Sequence, residues 1–107
     1  MRLLVFVFLL AAMSAHASGD PAKGKEKAAQ VCAACHGADG TKPSAPDQPV
    51  LAGQYYDYLV RALSDYKNGR RNNAIMKTFA GQLSQEEVED VAAGFSSQPR
   101  TSLHDQR

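Results

Sequence analysis

The chain has 107 residues and two cysteines, which suits one domain and no more. Its 12 lysines and arginines are nearly balanced by 11 aspartates and glutamates, so the charge argues against a nucleic-acid-binding protein. There is no tryptophan and only 7% of the residues are aromatic, so such a short chain has little material for a large apolar core.

The first residues predict an export signal. Arg2 precedes an uncharged apolar run over residues 3–13, and Ala15-His16-Ala17 matches the small-residue pattern at which signal peptides are cleaved. A membrane anchor is the alternative, but a spanning helix needs about 20 apolar residues and this run is shorter. We therefore expect residues 1–17 to be removed. Residues 18–107 would then be periplasmic, with no net formal charge and no stable membrane insertion.

No stretch alternates as a strand does, and helical periodicity predicts an all-α fold. The first helix begins at Asp20 as N-cap with Pro21 at the first helical position, and it runs toward Cys32. The second covers about residues 54–68 and ends at Gly69. One face of this second helix carries its apolar side chains: Tyr55, Tyr58, Leu59, Ala62, Leu63 and Tyr66.

The third predicted helix has the clearest start. Ser84 and Glu87 form a capping box, Leu83 can pack against Val88, and Pro99 lies just beyond the end of the helix. Its apolar stripe consists of Val88, Val91, Ala92 and Phe95.

Two long segments between these helices are irregular. Residues 37–53 are rich in Gly, Pro and Ala, and residues 70–80 form a second irregular region or a short helix. A compact domain tolerates long loops poorly unless they have a task, and wrapping a cofactor is one such task. A large apolar cofactor would also supply the core that the composition lacks.

The chemistry lies in Cys32-Ala33-Ala34-Cys35-His36, a C-x-x-C-H motif. Two thiols at this spacing can add to the two vinyl groups on one edge of a haem, and His36 can then bind the iron. A disulfide between Cys32 and Cys35 would close too short a loop to stabilise the fold much. A zinc site needs four ligands, whereas export leaves two cysteines and two histidines, and a thioredoxin-like pair needs a βαβ context.

With these residues the chain resembles the class I c-type cytochromes, in particular short bacterial monohaem carriers and each half of the bacterial dihaem carriers. The resemblance extends over about residues 19–98. Its anchors are Cys32-Ala33-Ala34-Cys35-His36-Gly37, Pro49-Val50-Leu51-Ala52-Gly53-Gln54, Tyr58-Leu59, Met76 and Leu83-Ser84. It implies a cytochrome c fold of three to five helices around one covalent haem, with a domain over residues 18–99 and a polar tail over residues 100–107.

The resemblance also implies the remaining site residues. Haem iron in a c-type carrier usually has His on one side and Met on the other, and Met76 is the one methionine left after cleavage. His104 is the rival ligand, but it lies in the polar tail. Pro49 matches the family proline whose carbonyl accepts a hydrogen bond from the haem-binding histidine, here His36, and so orients its ring.

Two glycines relate to the packing of the first helix on the last. Gly24 resembles the small residue that allows these helices to cross closely. Relatives often carry an aromatic residue where Gly94 stands, so either Phe95 takes over the crossing or the crossing is weaker. The segment before Met76 also lacks the proline of many relatives.

These expectations lead to a single-electron carrier and not an enzyme, because iron bound by His36 and Met76 has no open position for a substrate. If Met76 does not bind, a peroxidase or gas sensor is the alternative; a subunit of a larger redox complex is a third reading.

Expected partners are redox proteins such as a respiratory complex, a terminal oxidase or a reductase, and not nucleic acid. Lys67, Arg70, Arg71 and Lys77 could steer an acidic partner, although such charges are usually a solvated surface. The tyrosines at positions 55, 56 and 58 are interpreted as core packing and haem wall.

Overall fold

The computed structural model describes residues 19–100, and this part of the chain contains five helices and no strand, as the all-α prediction requires. The helices are α1 (Pro21–Val31), α2 (Ala33–His36), α3 (Tyr56–Asn68), α4 (Ala74–Gly81) and α5 (Gln85–Ser96). None of the helices in this part is long and apolar enough to cross a membrane. The expected signal peptide (1–17) and His104 lie outside the described residues.

The helix ends follow from local sequence. The Asp20 carboxylate accepts hydrogen bonds from two backbone N–H groups in the first turn of α1, at 2.9 and 3.3 Å. The capping box of α5 is confirmed, since Ser84 and Glu87 exchange side chain–backbone hydrogen bonds of 3.0 and 3.1 Å. Helix α3 starts at Tyr56, two residues later than predicted, and ends at Gly69, whose φ of 83° is the left-handed conformation expected there.

Two helices were not firmly predicted. The second irregular region contains α4, which begins where the Asn73 side chain accepts a hydrogen bond from the Met76 backbone N–H at 3.0 Å. Helix α2 is a single turn that carries the end of the C-x-x-C-H motif. Four residues are too few to show helical periodicity, so its formation is visible only in the structure.

Helix α1 crosses α5 at two glycines. A Cβ atom on Gly24 would lie 1.7 Å from the carbonyl oxygen of Asp90, which confirms the close approach expected there. A Cβ atom on Gly94 would lie 2.9 Å from the backbone nitrogen of Lys25. Gly94 is therefore itself part of the crossing. Phe95 does not take over this contact; its buried ring lies against Gly40.

The core is small and α5 supplies most of it. Its buried members are Ala28, Leu59, Leu83, Val88, Val91, Ala92 and Phe95, which include the whole predicted stripe of α5. The largest fully buried side chains are only valines, Val88 and Val91. One buried carboxylate joins the two crossing helices, because Asp90 Oδ1 accepts a 2.7 Å hydrogen bond from the backbone N–H of Asp20.

Candidate cofactor site

A cavity of about 580 Å³ is lined mainly by the C-x-x-C-H motif (residues 32–36), by residues 47–51 of the loop that follows it, and by α3 and α4. This volume is within the range of small-molecule and cofactor sites. The cavity brings together the predicted attachment points Cys32 and Cys35, the predicted iron ligands His36 and Met76, and Pro49. These residues come from separate parts of the chain, so the fold itself assembles them.

His36 is buried, with 6% of its surface exposed, and its ring is held by one hydrogen bond. Nδ1 of His36 lies 2.9 Å from the carbonyl oxygen of Pro49, which is the contact that the resemblance implied. Because a carbonyl oxygen only accepts, Nδ1 must carry the proton of this bond. In the neutral ring Nε2 is then the nitrogen without a proton, and its lone pair can bind a metal.

Cys32 and Cys35 are not joined by a disulfide. Burial raises the pKa of the Cys32 thiol to about 11, so it stays protonated at neutral pH. This environment disfavours a thiolate but accommodates a neutral thioether. Within residues 19–100, no three His, Cys, Asp or Glu side chains lie close enough to hold a bare metal ion.

Met76 lies in the first turn of α4, half-buried and in the cavity wall. The hydrogen bond from its backbone N–H to the Asn73 side chain sets the start of this helix and so fixes where the thioether can reach. A methionine sulfur and a histidine nitrogen are the axial pair of many haem sites. The fold brings this pair to one cavity.

The predicted apolar face of α3 forms a cavity wall and is only partly a core face. Tyr58, Leu59, Ala62, Leu63 and Tyr66 all line the cavity.

The interpretation of the three tyrosines as core packing and haem wall is wrong for Tyr55, whereas Tyr58 lies in the cavity wall. Tyr55 is 70% exposed and Tyr58 is 50% exposed, although Tyr58 does contribute to the wall. The Tyr55 ring lies under the Arg100 guanidinium at 5.3 Å, which covers part of it without burying it. Tyr56 alone of the three tyrosines packs against the buried core.

Sequence reasoning missed two charged residues of the cavity wall, Asp47 and Arg71. Arg71 was interpreted as part of a basic surface; it is indeed exposed, and it also lines the cavity beside Tyr58 and Tyr66. Its Nη1 donates to the Tyr58 hydroxyl at 3.4 Å, and its guanidinium carbon lies 4.8 Å from the centre of the Tyr66 ring. In the sequence, only its position five residues before Met76 could have indicated that Arg71 lines the cavity.

These residues fit a haem. Two free thiols lie beside a buried histidine, a soft thioether lies in the same cavity, and the remaining walls are mainly apolar. A flat apolar macrocycle with a central iron is the group that such a combination accommodates.

Comparison with known proteins gives an independent result. The sequence profile of the family described as "Cytochrome c" matches residues 21–93. The chain is 46% identical over 99 residues to cytochrome c4 of Pseudomonas aeruginosa, an alignment that covers 91% of this chain and 48% of the relative. It is 43% identical over 84 residues to cytochrome c-554(548) of Halomonas halodenitrificans, covering 76% of this chain and 99% of that protein.

The structural comparison agrees. The crystal structure of reduced recombinant cytochrome c4 from Pseudomonas stutzeri superimposes with a TM-score of 0.69 at 42% identity. The superposition covers 76% of this chain and 46% of the solved one. The chain thus spans about half the length of the cytochromes c4 that it matches, and its helices have the cytochrome c fold.

Proposed function

The chain belongs to the cytochrome c family, and from this premise we propose that it is a periplasmic single-electron carrier and not an enzyme. The family cofactor is haem c, and the two cysteines have the spacing of its attachment sites. In this proposal Cys32 and Cys35 hold one haem covalently, and His36 and Met76 are the axial ligands of its iron. The convergence of the C-x-x-C-H motif and Met76 on one cavity carries the proposal.

Each residue has a defined task in this function. When bound, the haem supplies a one-electron couple between ferrous and ferric iron. His36 offers Nε2 to the iron, while the carbonyl group of Pro49 orients the ring and raises its basicity. The thioethers retain the cofactor if a ligand bond breaks. Met76 would supply the second protein ligand of the iron, which would leave no position open to a substrate and would favour a higher potential than a second histidine.

Exchange of electrons then has to occur through the exposed side of the site. Tyr58 and Ile75 both line the cavity and are 50% and 65% exposed, so they form an apolar part of its rim. Redox partners usually dock briefly on small surfaces, and a rim of this kind suits such a contact. We propose other redox proteins as partners, among them a respiratory complex, a terminal oxidase or a reductase.

The test is to express the full chain in a host that matures c-type cytochromes. The expected product is coloured and has the mass of residues 18–107 plus one haem, with the near-infrared band of ferric Met–haem. A colourless product with the mass of the bare polypeptide would overturn the proposal.

The ligand assignment has its own variants. Met76→Ala should remove the near-infrared band and allow the reduced protein to bind carbon monoxide, whereas the matched control His104→Ala should do neither. An unchanged spectrum in Met76→Ala would contradict this assignment. Ready binding of carbon monoxide by the unaltered protein would favour the five-coordinate alternative, a peroxidase or gas sensor.

A further inference from the structure

We propose that Phe95 is a positioning residue for the iron ligand His36. Its ring holds the loop around Gly40, and through this loop it keeps the Pro49 carbonyl oxygen on the His36 ring and so helps to set the reduction potential. The inference rests on the proposed function, because it requires that His36 binds iron. It gives a task to a side chain of the last helix that takes no part in attachment or ligation.

The Phe95 ring packs directly on the backbone of the loop between α2 and α3 (residues 37–55). The side chain is buried, with 4% of its surface exposed, and it also lines the cavity. A Cβ atom on Gly40 would lie 2.8 and 2.9 Å from two carbon atoms of this ring. Gly40 has a φ of 78°, a conformation that favours glycine. Ring and loop are therefore fitted to each other at this point.

The carbonyl group of Gly40 restrains the chain that follows Pro49. Its oxygen accepts hydrogen bonds from two successive backbone N–H groups, that of Leu51 at 2.9 Å and that of Ala52 at 3.2 Å. Leu51 is only two residues beyond Pro49, and each intervening residue has just two soft backbone dihedral angles. The position of Gly40 therefore limits where the Pro49 carbonyl group can point.

The end of α5 holds the same segment a second time through its backbone. The Gly53 N–H group donates to the carbonyl oxygen of Phe95 at 3.0 Å. Phe95 thus meets the loop with its ring at Gly40 and with its carbonyl group at Gly53. A substitution of the side chain leaves the backbone contact available, so the contribution of the ring can be tested separately.

The restrained carbonyl group acts on the iron ligand. The Pro49 oxygen lies 2.9 Å from Nδ1 of His36. A hydrogen bond from Nδ1 increases the basicity of the ligand and so favours ferric over ferrous iron. Removal of the Phe95 ring should weaken this bond and raise the potential. Entry of water into the cavity has the opposite effect, because a polar environment stabilises the more highly charged ferric state.

The experiment compares the unaltered holoprotein with Phe95→Leu and with the matched control Val91→Ala. Leucine keeps an apolar side chain but lacks the ring. Val91 lies one turn earlier in α5, is 1% exposed and also lines the cavity, whereas the atoms nearest a Cβ on Gly40 belong to Phe95 and Ala52. Both variants loosen the core, but only Phe95→Leu releases the loop.

Two measurements distinguish the variants. The exchange of the His36 Nδ1 proton with solvent, followed by NMR, should be about fivefold faster or more in Phe95→Leu, which corresponds to the weakening of one hydrogen bond. In Val91→Ala it should stay close to that of the unaltered protein. The reduction potential should rise in Phe95→Leu and should not rise in Val91→Ala.

A double-mutant cycle tests the route through Pro49. Pro49→Ala loosens the same carbonyl group from within the loop, because alanine lacks the fixed φ of proline. If Phe95 acts through this group, the effects of Phe95→Leu and Pro49→Ala on the exchange rate should be less than additive. Phe95→Met replaces Phe95→Leu if that variant does not fold, since a flexible methionine fills irregular gaps in a core.

Four results would overturn the inference. The first is an exchange rate in the Phe95 variant equal to that of the unaltered protein. The second is an equal acceleration in Val91→Ala, which would reflect stability alone. The third is a potential in the Phe95 variant no higher than in Val91→Ala. The fourth is full additivity with Pro49→Ala. Covalent haem and the Met–haem band in the unaltered protein establish the proposed function independently, so its failure is distinguishable from these four results.

Discussion

At the scale of single residues, Gly24 is the position where one methyl group should disturb the fold most. A Cβ atom there would lie 1.7 Å from a backbone oxygen of α5, and a backbone atom can retreat only if the two helices separate. We expect Gly24→Ala to lower the free energy of unfolding by about 3 kcal/mol or more, at the upper end of overpacking effects. Denaturant unfolding of the holoprotein measures this change.

Gly81 provides the matched control. It lies in α4, and a Cβ atom built on it meets nothing within 4 Å. Gly81→Ala should therefore be neutral or stabilise the protein by up to about 1 kcal/mol, since alanine favours a helix over glycine. Equal losses in the two variants would mean that the loss at Gly24 has nothing to do with the crossing.

Some site residues could be predicted from the sequence alone and others could not. The difference depends on whether the residues that identify the site are adjacent in the chain. The C-x-x-C-H motif is contiguous, so its chemistry is evident without a fold. Met76 and Pro49 required the family resemblance, because nothing in their own neighbourhoods marks them as ligand and hydrogen-bond acceptor. Arg71 could not be separated from Arg70 by sequence, because both are exposed and only the contacts of Arg71 with Tyr58 and Tyr66 mark it as a wall residue.

At the scale of helices, the ends were predictable and the environment of their faces was not. Caps depend on a few adjacent residues, and Asp20, Ser84 and Gly69 all occupy the cap positions expected of them. The apolar face of α3 was identified correctly, but its periodicity could not show what covers it. A cofactor and a protein core demand the same apolar side chains, so the sequence could not separate core packing from cofactor wall at Tyr58, which lies in the cavity wall.

One ion pair connects α1 to α5 and should give the fold a measurable acid sensitivity. Lys27 Nζ lies 2.7 Å from Glu87 Oε2. Lys27 and, secondly, the Ser84 backbone lower the pKa of Glu87 from its usual 4.5 to about 2. A carboxylate with a lowered pKa stabilises the folded state above the unfolded-state value and loses that contribution as the pH falls.

The unfolding free energy should therefore decrease as the pH falls from about 4.5 toward 2, and Lys27→Gln should show a shallower decrease. Both groups are substantially solvated, so the effect is modest. Lys23→Gln is the control, since Lys23 is an exposed lysine of the same helix without an ion pair among the described residues. Parallel pH profiles for Lys27→Gln and the unaltered protein would contradict the role of the pair.

At the scale of the whole molecule, the cavity occupies the position that the centre of the apolar core has in other small domains. The buried cluster contains no fully buried side chain larger than valine, while a face of α3 lines a cavity of about 580 Å³. Without a cofactor these apolar walls would face water, which removes a large part of the driving force for folding.

We therefore expect the chain made without haem, for example as Cys32→Ala/Cys35→Ala in a host that lacks cytochrome maturation, to lose most of its helical circular dichroism and its cooperative thermal transition. The holoprotein variant Met76→Ala is the control, because it should keep the haem and hence the helices. A haem-free chain with native helix content and a cooperative transition would show that the protein core is sufficient alone.

The distribution of charge, and not its sum, should govern how the molecule meets small oxidants. The expected mature chain has no formal net charge, but Arg70 and Lys77 stand on the segments that border the cavity, and the Lys77 ammonium lies near Gly69. A basic rim around the exposed side of the haem attracts anions at low ionic strength and is screened by salt.

Arg70→Glu should slow oxidation by ferricyanide by about threefold or more at low salt, and it should accelerate oxidation by a cationic cobalt complex. Both effects should fade as the salt concentration rises, because screening removes attraction and repulsion alike. Lys23→Glu makes the same change in net charge near the start of α1, whereas Arg70 adjoins the cavity-lining Arg71, so Lys23→Glu should alter both rates much less. Stopped-flow measurements across a salt series give the oxidation rates of both variants with both oxidants. Equal effects of the two substitutions would mean that oxidants sense the total charge, and the rim would then have no part in steering them.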